Sequence, residues 1–317
     1  MNNPKENRKP IIAILGPTAS GKSGLAIDLA LACSGEIINC DSVQVYQGIE
    51  IATAKVPPAQ RKDVPHHLID FIPPENRYSA GQWARDGAKT IEEVEARDNL
   101  AILVGGSGLY LRALREPFFS SITTDEVLRN KITGIRKKKG AEHLYSVLER
   151  LDPYSAIKLN SRDWSRVQRA LEVRLQTGQS IIDLKLNKPE PPPFVNRIHI
   201  FALNPPREKI YERINARVNA QFARGLVDEV RELLARGVPA DSNALGAHGY
   251  RRVVEYLQGS RTLESAIEQT KLDVRHYAKR QITWLRRETE AIRIDGFGDD
   301  DNVFKRMLNL VNVLREK

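Results

Sequence analysis

Five apolar residues, Ile11-Ile12-Ala13-Ile14-Leu15, run directly into Gly16-Pro17-Thr18-Ala19-Ser20-Gly21-Lys22-Ser23. No other stretch constrains the fold as much. A short, continuously apolar run that ends at glycine is a buried strand. The Gly-x-x-x-x-Gly-Lys-Ser spacing that follows is that of a P-loop, the nucleotide-binding loop of ATP-binding proteins, whose N–H groups turn inward around phosphate. The helix expected next, over Lys22–Cys33, adds the partial positive charge of its N-terminus, and Lys22 adds a full one. Ser23 is placed to ligate Mg²⁺. Strand, loop and helix in this order require a parallel sheet covered by helices.

The alternation continues along the chain. Glu36–Cys40 reads as a second strand ending at Asp41-Ser42, and Leu100–Val104 as a third ending at Gly105-Gly106. Arg197–Leu203 and Ala291–Ile294 read as a fourth and a fifth. Between the second and third strands the order breaks. Val56-Pro57-Pro58, Pro65 and Pro73-Pro74 interrupt any long element before a helical pattern resumes over Ser79–Arg97. A connection of about fifty residues exceeds the usual limits. Residues 47–98 are therefore expected to form an inserted helical domain within a core of residues 8–46 and 99–317. Residues 124–177 and 206–288 are helix-rich, and the proline-rich segment 187–194 is a stiff connector. The fold class is α/β: a P-loop-NTPase-like parallel sheet core with an inserted helical domain and helical C-terminal segments.

Lys plus Arg number 49 against 40 Asp plus Glu, a net charge of +9, which favours a polyanionic partner. Part of the excess is local, at Arg136-Lys137-Lys138-Lys139 and at Arg275, Lys279, Arg280, Arg286 and Arg287. Cys33 and Cys40 have no metal-site or redox spacing and read as two reduced thiols in or near the core. His66-His67 are adjacent and cannot share one helix face as paired metal ligands do. No apolar run approaches membrane-spanning length, and the N-terminus is polar, so a cytoplasmic protein is expected.

Phosphate binding does not by itself identify the reaction. An NTPase places an Asp after an apolar strand to hold the Mg²⁺ shell, whereas Leu100–Val104 ends in Gly-Gly-Ser-Gly. The nearest match to a guanine-reading Asn-Lys-x-Asp is Asn187-Lys188-Pro189-Glu190, which lacks the Asp. An acid stands instead at Asp41, beyond the second strand, and carboxyl ends of parallel strands face the ligand crevice. Asp41, Ser42 and Gln44 are thereby set beside the phosphates, and Ser107 can reach the same crevice. A turn or helix cap is the lesser reading of Asp41. Arg213 and Arg217, one helical turn apart, offer a further cation for the open side of the loop.

Eight segments in series resemble the bacterial tRNA dimethylallyltransferase family, also called tRNA isopentenyltransferases. They are GPTASGKS, DSVQVYQGIEIATAK, VPHHLID, YSAGQWARD, VGGSGLY, SRVQRALEV, GLVDEV and YAKRQITWLR, spread over residues 11 to about 288. Ala52 and Val56 stand where the family usually has a glycine and a proline, Ser107 where it has threonine, and Trp83 where it commonly has phenylalanine. The resemblance implies a P-loop-like core, an inserted helical domain that clasps the tRNA anticodon stem-loop, and Mg²⁺. It implies transfer of a dimethylallyl group from dimethylallyl diphosphate to the exocyclic amine of the adenosine just 3′ of the anticodon. The loop would then hold a diphosphate leaving group, with no phosphoryl transfer.

On that reading Gly16–Ser23 and Arg217 bind the diphosphate, with Ser23 on the metal. Asp41 is the base that takes the proton of the amine, and Ser107 is a second contact to the amine or diphosphate. The target adenine must leave its stack to be reached, and Gln44 offers it both a donor and an acceptor. The resemblance puts tRNA contacts at Asp41, Ser42, Val43, Gln44 and Ser107, and at a second segment, Gln168, Arg169, Ala170, Leu171 and Glu172, with Arg129. The latter segment also reads as an ordinary amphipathic helix. A monomer is expected. The rival readings are an adenylate dimethylallyltransferase, a P-loop small-molecule kinase and a non-catalytic RNA-binding protein.

Overall fold

The computed structural model describes residues 9–118, 122 and 124–316. Lys5 and Arg8 of the polar N-terminus, and residue 8 as the expected start of the core, lie outside the described residues. The chain divides into two compact units, Met1–Arg115 with Pro192–Lys317, and Glu116–Pro191.

The first unit begins β1 (Ile11–Leu15), α1 (Lys22–Cys33), β2 (Gly35–Cys40), β3 (His66–His67), α2 (Ala80–Ala96), β4 (Leu100–Gly105) and α3 (Gly108–Arg115). The second unit holds α4 (Glu126–Lys139), α5 (Ala141–Leu151), α6 (Pro153–Lys158), α7 (Trp164–Thr177) and α8 (Ile181–Leu186). The first unit then resumes with β5 (Ile198–Leu203), α9 (Arg207–Ala223), α10 (Leu226–Ala235), α11 (Tyr250–Leu257), α12 (Leu263–Leu285), β6 (Ile292–Ile294) and α13 (Asp301–Arg315). No described helix is long and apolar enough to cross a membrane.

The six strands form one sheet in the order β3-β2-β4-β1-β5-β6, every pair parallel. The unbroken apolar run of β1 is explained by burial on both faces. Ile11, Ala13 and Leu15 enter one core with α2, α3, α10 and α11, while Ile12 and Ile14 enter the other with α1 and α13. Parallel alignment puts the loops after β1, β2 and β4 at one edge, where ligands bind in such sheets. The ends of β2 and β4 come so close that a Cβ at Gly105 would lie 1.9 Å from the Cys40 carbonyl oxygen, so only glycine fits.

The division into units differs from the expected insertion at 47–98. That segment belongs to the first unit: His66 and His67 pair with Ile37 and Ile38 as a further strand, and Trp83, Ile91 and Val94 of α2 are buried in the same core as Leu103. Its prolines signalled irregular backbone, and irregular backbone packs into a core when its apolar residues face one. The separate helical unit is Glu116–Pro191, and the proline-rich connector forms its C-terminal boundary. Its own core includes Leu144, Leu148, Val167, Ala170 and Leu171.

Trp83, where the family commonly has phenylalanine, is fully buried; it stacks on Tyr110 at 5.0 Å and donates its indole N–H to the Asn39 carbonyl at 2.8 Å. Cys33 and Cys40 are buried free thiols. Each histidine of the adjacent pair has a protein partner: His66 Nδ1 meets the Val64 carbonyl at 2.7 Å, and His67 Nε2 meets Glu36 at 2.5 Å.

Candidate active site

A cavity of about 190 Å³ opens at the carboxyl edge of the sheet. Thr18–Gly24 line it from the P-loop, Asn39, Asp41 and Gln44 from the end of β2, Val104 and Gly105 from β4, Arg217 from α9, and Tyr277 and Gln281 from α12. The P-loop is held in shape locally. Gly21 sits in the left-handed region at φ 82° as the N-cap of α1, and Ala19 is there too at φ 65°, a strained conformation for a residue with a Cβ. Ser20 N–H donates to the Pro17 carbonyl, and the Ser20 carbonyl accepts from Gly298 N–H at 2.8 Å.

Two cations converge on this loop. Lys22 is half-buried, with Nζ 3.4 Å from the Pro17 carbonyl oxygen. Arg217 donates through Nη2 to Thr18 Oγ1, and its buried Nε, like the buried Ser20 hydroxyl, has no partner among the described residues. Burial pushes the Lys22 ammonium down to about 8; Asp41 opposes the shift and Arg217 adds to it. Burial also lowers Arg217, again against Asp41. Like charges held together out of water are costly unless an anion joins them. Arg213, one turn away on α9, faces elsewhere: it pairs with Asp299 at 2.9 Å and lies over the Phe297 ring.

Asp41 serves in both ways the sequence allows. Its Oδ1 accepts the N–H groups of Val43 at 2.9 Å and Gln44 at 3.3 Å, which is a local turn cap. Asp41 also lines the cavity. Ser107 is buried at the end of β4, where its Oγ accepts Ser42 N–H at 3.0 Å and donates to Ser42 Oγ at 3.3 Å. The amide of Gln44 donates to the Thr53 carbonyl at 3.0 Å. Val56, which stands where the family usually has proline, also lines the cavity.

Lining residues with no expected role include Gln281, Tyr277, Thr53 and His66. Gln281 is buried and bridges two loops, accepting Thr18 N–H at 2.8 Å and donating to the Gly106 carbonyl at 3.0 Å. A Cβ on Gly106 would lie 2.0 Å from the Gln281 amide nitrogen. Gln281 and Tyr277 sit within YAKRQITWLR, where charge draws the eye to the Arg and Lys residues. The four-residue spacing of 277 and 281 was the available signal, since it puts both on one helix face. On that helix Lys279, Arg280 and Arg286 are exposed, while Arg275 is half-buried and bonds Asn215 at 3.1 Å.

The residues expected to contact RNA in the second unit form a network of their own. Arg129 makes two 2.7 Å bonds to Glu172, and Arg169 bonds Glu172 at 3.2 Å and the Ile122 carbonyl at 3.0 Å. Gln168 donates to Thr133 and Glu172. Ala170, Leu171, Glu172 and Gln168 are buried, so their side chains present no contact surface. The amphipathic period of α7 put them inward, and the half-buried Arg129 and Arg169 are the members set to meet solvent. Burial opposes the charge of Glu172, but its two arginines hold its carboxyl below the usual range.

The arrangement is chemically specific. Paired cations and loop N–H groups suit two linked phosphates, and the carboxylate beside them suits a proton acceptor. No described residues form a cluster of three or more His, Cys, Asp or Glu fit for a metal cage. Ser23 on the cavity wall instead fits an ion such as Mg²⁺ that keeps waters and takes its other oxygens from substrate phosphate.

Residues 44–288 match the family model of the IPP transferases. A tRNA dimethylallyltransferase of Solibacter usitatus is 41% identical over 302 residues, covering 95% of this chain and 98% of that protein. One of Thermomicrobium roseum is 42% identical over 281 residues, covering 88% and 84%. Among solved structures, the full-length tRNA isopentenylpyrophosphate transferase of Bacillus halodurans has a TM-score of 0.71 and 34% identity, covering 98% of this chain and 97% of that one. A eukaryotic dimethylallyltransferase acting on tRNA has a TM-score of 0.79 and 28% identity, covering 96% and 79%.

Proposed function

The chain belongs to the IPP transferase family, and from that membership we propose a tRNA dimethylallyltransferase that uses dimethylallyl diphosphate as donor. The acceptor is the exocyclic amine of the adenosine 3′ to the anticodon, and diphosphate is released. The observation that carries the reading is the pair of desolvated cations, Lys22 and Arg217, set at a phosphate loop with Asp41 as the acid in reach. Such a site stabilises the charge of a departing diphosphate.

In the reaction the bond between the allylic carbon and the diphosphate oxygen breaks, and its electron pair leaves with the diphosphate. Lys22, Arg217 and the loop N–H groups stabilise that charge where it develops. The adenine nitrogen bonds the allylic carbon and gives up a proton to Asp41 Oδ2. Ser107 steadies the Asp41–Ser42 turn and contacts the amine or diphosphate. Mg²⁺, held by Ser23 and the phosphates, would supply further neutralisation of the leaving group. Gln44 reads the base. Arg129 and Arg169 meet RNA phosphate, held in place by Glu172.

The test is incubation of purified protein with labelled dimethylallyl diphosphate, Mg²⁺ and unmodified tRNA, followed by nucleoside analysis, beside AMP, ADP and ATP as acceptors. Label in one adenosine of tRNA is expected. Label only in free nucleotides, or transfer of phosphate from ATP, would overturn the reading.

A further inference from the structure

The segment Gly225-Leu226-Val227-Asp228-Glu229-Val230 leads into α10 and lines no part of the cavity. Its Glu229 nevertheless acts on the cavity wall. Residues 50–52 form no strand or helix, so their backbone groups need partners from elsewhere. Three helices supply them. Glu229 of α10 accepts the N–H groups of Glu50 at 3.2 Å and Ile51 at 3.1 Å. Tyr250 of α11 accepts Ala52 N–H at 3.2 Å and donates its hydroxyl to Glu229 at 2.5 Å. Gln221 of α9 donates to the Ile51 carbonyl at 3.1 Å.

Tyr250 is fully buried, and both burial and the neighbouring Glu229 carboxylate keep its phenol protonated as a donor. The next residue, Thr53, lines the cavity and uses its carbonyl to hold the amide nitrogen of Gln44. With that nitrogen committed, the Gln44 oxygen and its remaining N–H have one assigned orientation. An amide free to rotate would present donor and acceptor in either order, and only one order matches a given base edge.

We propose that Glu229 and Tyr250 are positioning residues for base recognition: they fix residues 50–52, so that the Thr53 carbonyl fixes the amide of Gln44. The inference rests on the reading in which the target adenine meets Gln44. Ala52 has no positive φ to demand the glycine usual in the family.

The experiment is a functional double-mutant cycle. Glu229→Gln and Tyr250→Phe, alone and combined with Gln44→Ala, are assayed for prenylation with tRNA varied and then with dimethylallyl diphosphate varied. Each single substitution is expected to lower kcat/KM for tRNA about ten-fold, the lower end of what a bidentate base contact is worth. KM for dimethylallyl diphosphate should hold, because the loop that binds it lies on β1 and α1. On the Gln44→Ala background the same substitutions should cost less than about two-fold. A penalty undiminished on that background, a parallel rise in the donor KM, or no penalty at all would overturn the inference. Should Glu229→Gln fail to fold, Tyr250→Phe, which keeps the buried ring, carries the same test. A wild-type enzyme that prenylates free nucleotides but no tRNA would overturn the proposed function and this inference with it.

Discussion

Replacing Lys22 by methionine is expected to stabilise the ligand-free protein and to remove its response to diphosphate. Lys22 is held at about 8 in the fold, against 10.5 for an ordinary lysine, chiefly by burial. That difference corresponds to a cost of about 3 kcal/mol for keeping the charged form folded at neutral pH. Below pH 8 both the folded and unfolded chains carry the proton, so the cost is borne in full. Between about 8 and 10.5 the unfolded chain still holds a proton that the folded chain has shed, so stability rises with pH. Above both values the cost is gone. Methionine keeps most of the stem and removes the charge, while it gives up the contact to the Pro17 carbonyl. The expected net gain is about 1 to 3 kcal/mol at pH 7, or a few degrees in melting temperature, shrinking toward pH 10. Melting curves across that range, with and without inorganic diphosphate, are the assay. Wild type should be stabilised by diphosphate. Binding of tRNA by Lys22→Met should be unchanged. A ligand-free variant less stable than wild type at pH 7, or one that diphosphate stabilises equally, would refute the argument.

Asp41→Asn keeps an Oδ1 that can cap Val43 and Gln44, so its melting temperature should hold, while the single-turnover prenylation rate falls about a hundred- to ten-thousand-fold; a rate within a few-fold of wild type would remove the general base. Affinity for tRNA should fall steeply across a salt series, by close to one log unit per log unit of salt for each phosphate neutralised, and a flat dependence would exclude the electrostatic account of the partner. Glu172→Gln strips the shared carboxylate from Arg129 and Arg169 and should destabilise the helical unit by about 2 to 3 kcal/mol in chemical denaturation, as expected when one partner of a buried charge network is lost. Gln281→Met should raise the KM for dimethylallyl diphosphate by about five-fold through loss of the Thr18 contact, and an unchanged donor KM would show that the bridge is dispensable.

The sheet was legible because both faces of β1 and β4 are buried, which writes strands as unbroken apolar runs ending at glycine. Helix α2 was legible because Ser79 and Gln82 form a capping box ahead of an amphipathic period. The two-residue strand β3 was not, because a period cannot be read from His66 and His67 alone; its pairing with β2 is tertiary. The boundary of the helical unit was misplaced for a related reason. Prolines at 57, 58, 65, 73 and 74 mark irregular backbone, and only packing decides to which core irregular backbone belongs. At the site, charged residues announced themselves and neutral ones did not. Gln281 and Thr53 act through an amide and a backbone carbonyl, whose geometry exists only once α12 and the 50–54 turn are folded.

The same distinction explains how a loop known for phosphoryl transfer can serve another reaction. A P-loop stabilises negative charge on linked phosphates whichever bond to them breaks. For attack at phosphorus, an oxygen nucleophile must be directed at the terminal phosphate, and β4 supplies no acid there, ending instead in Gly105, whose place is fixed by the Cys40 carbonyl. The acid comes from the end of the neighbouring strand β2, at Asp41, where one oxygen caps the turn that carries Gln44 and the residue lines the cavity. A proton acceptor tied to a base-reading amide within three residues is suited to a nitrogen nucleophile on a planar ring. The electron sink and the proton sink are thereby separated, the first on β1 and α9 and the second on β2. On the proposed reading the electrophile between them is the carbon attached to the diphosphate, so the loop would hold the leaving group and leave the phosphorus untouched.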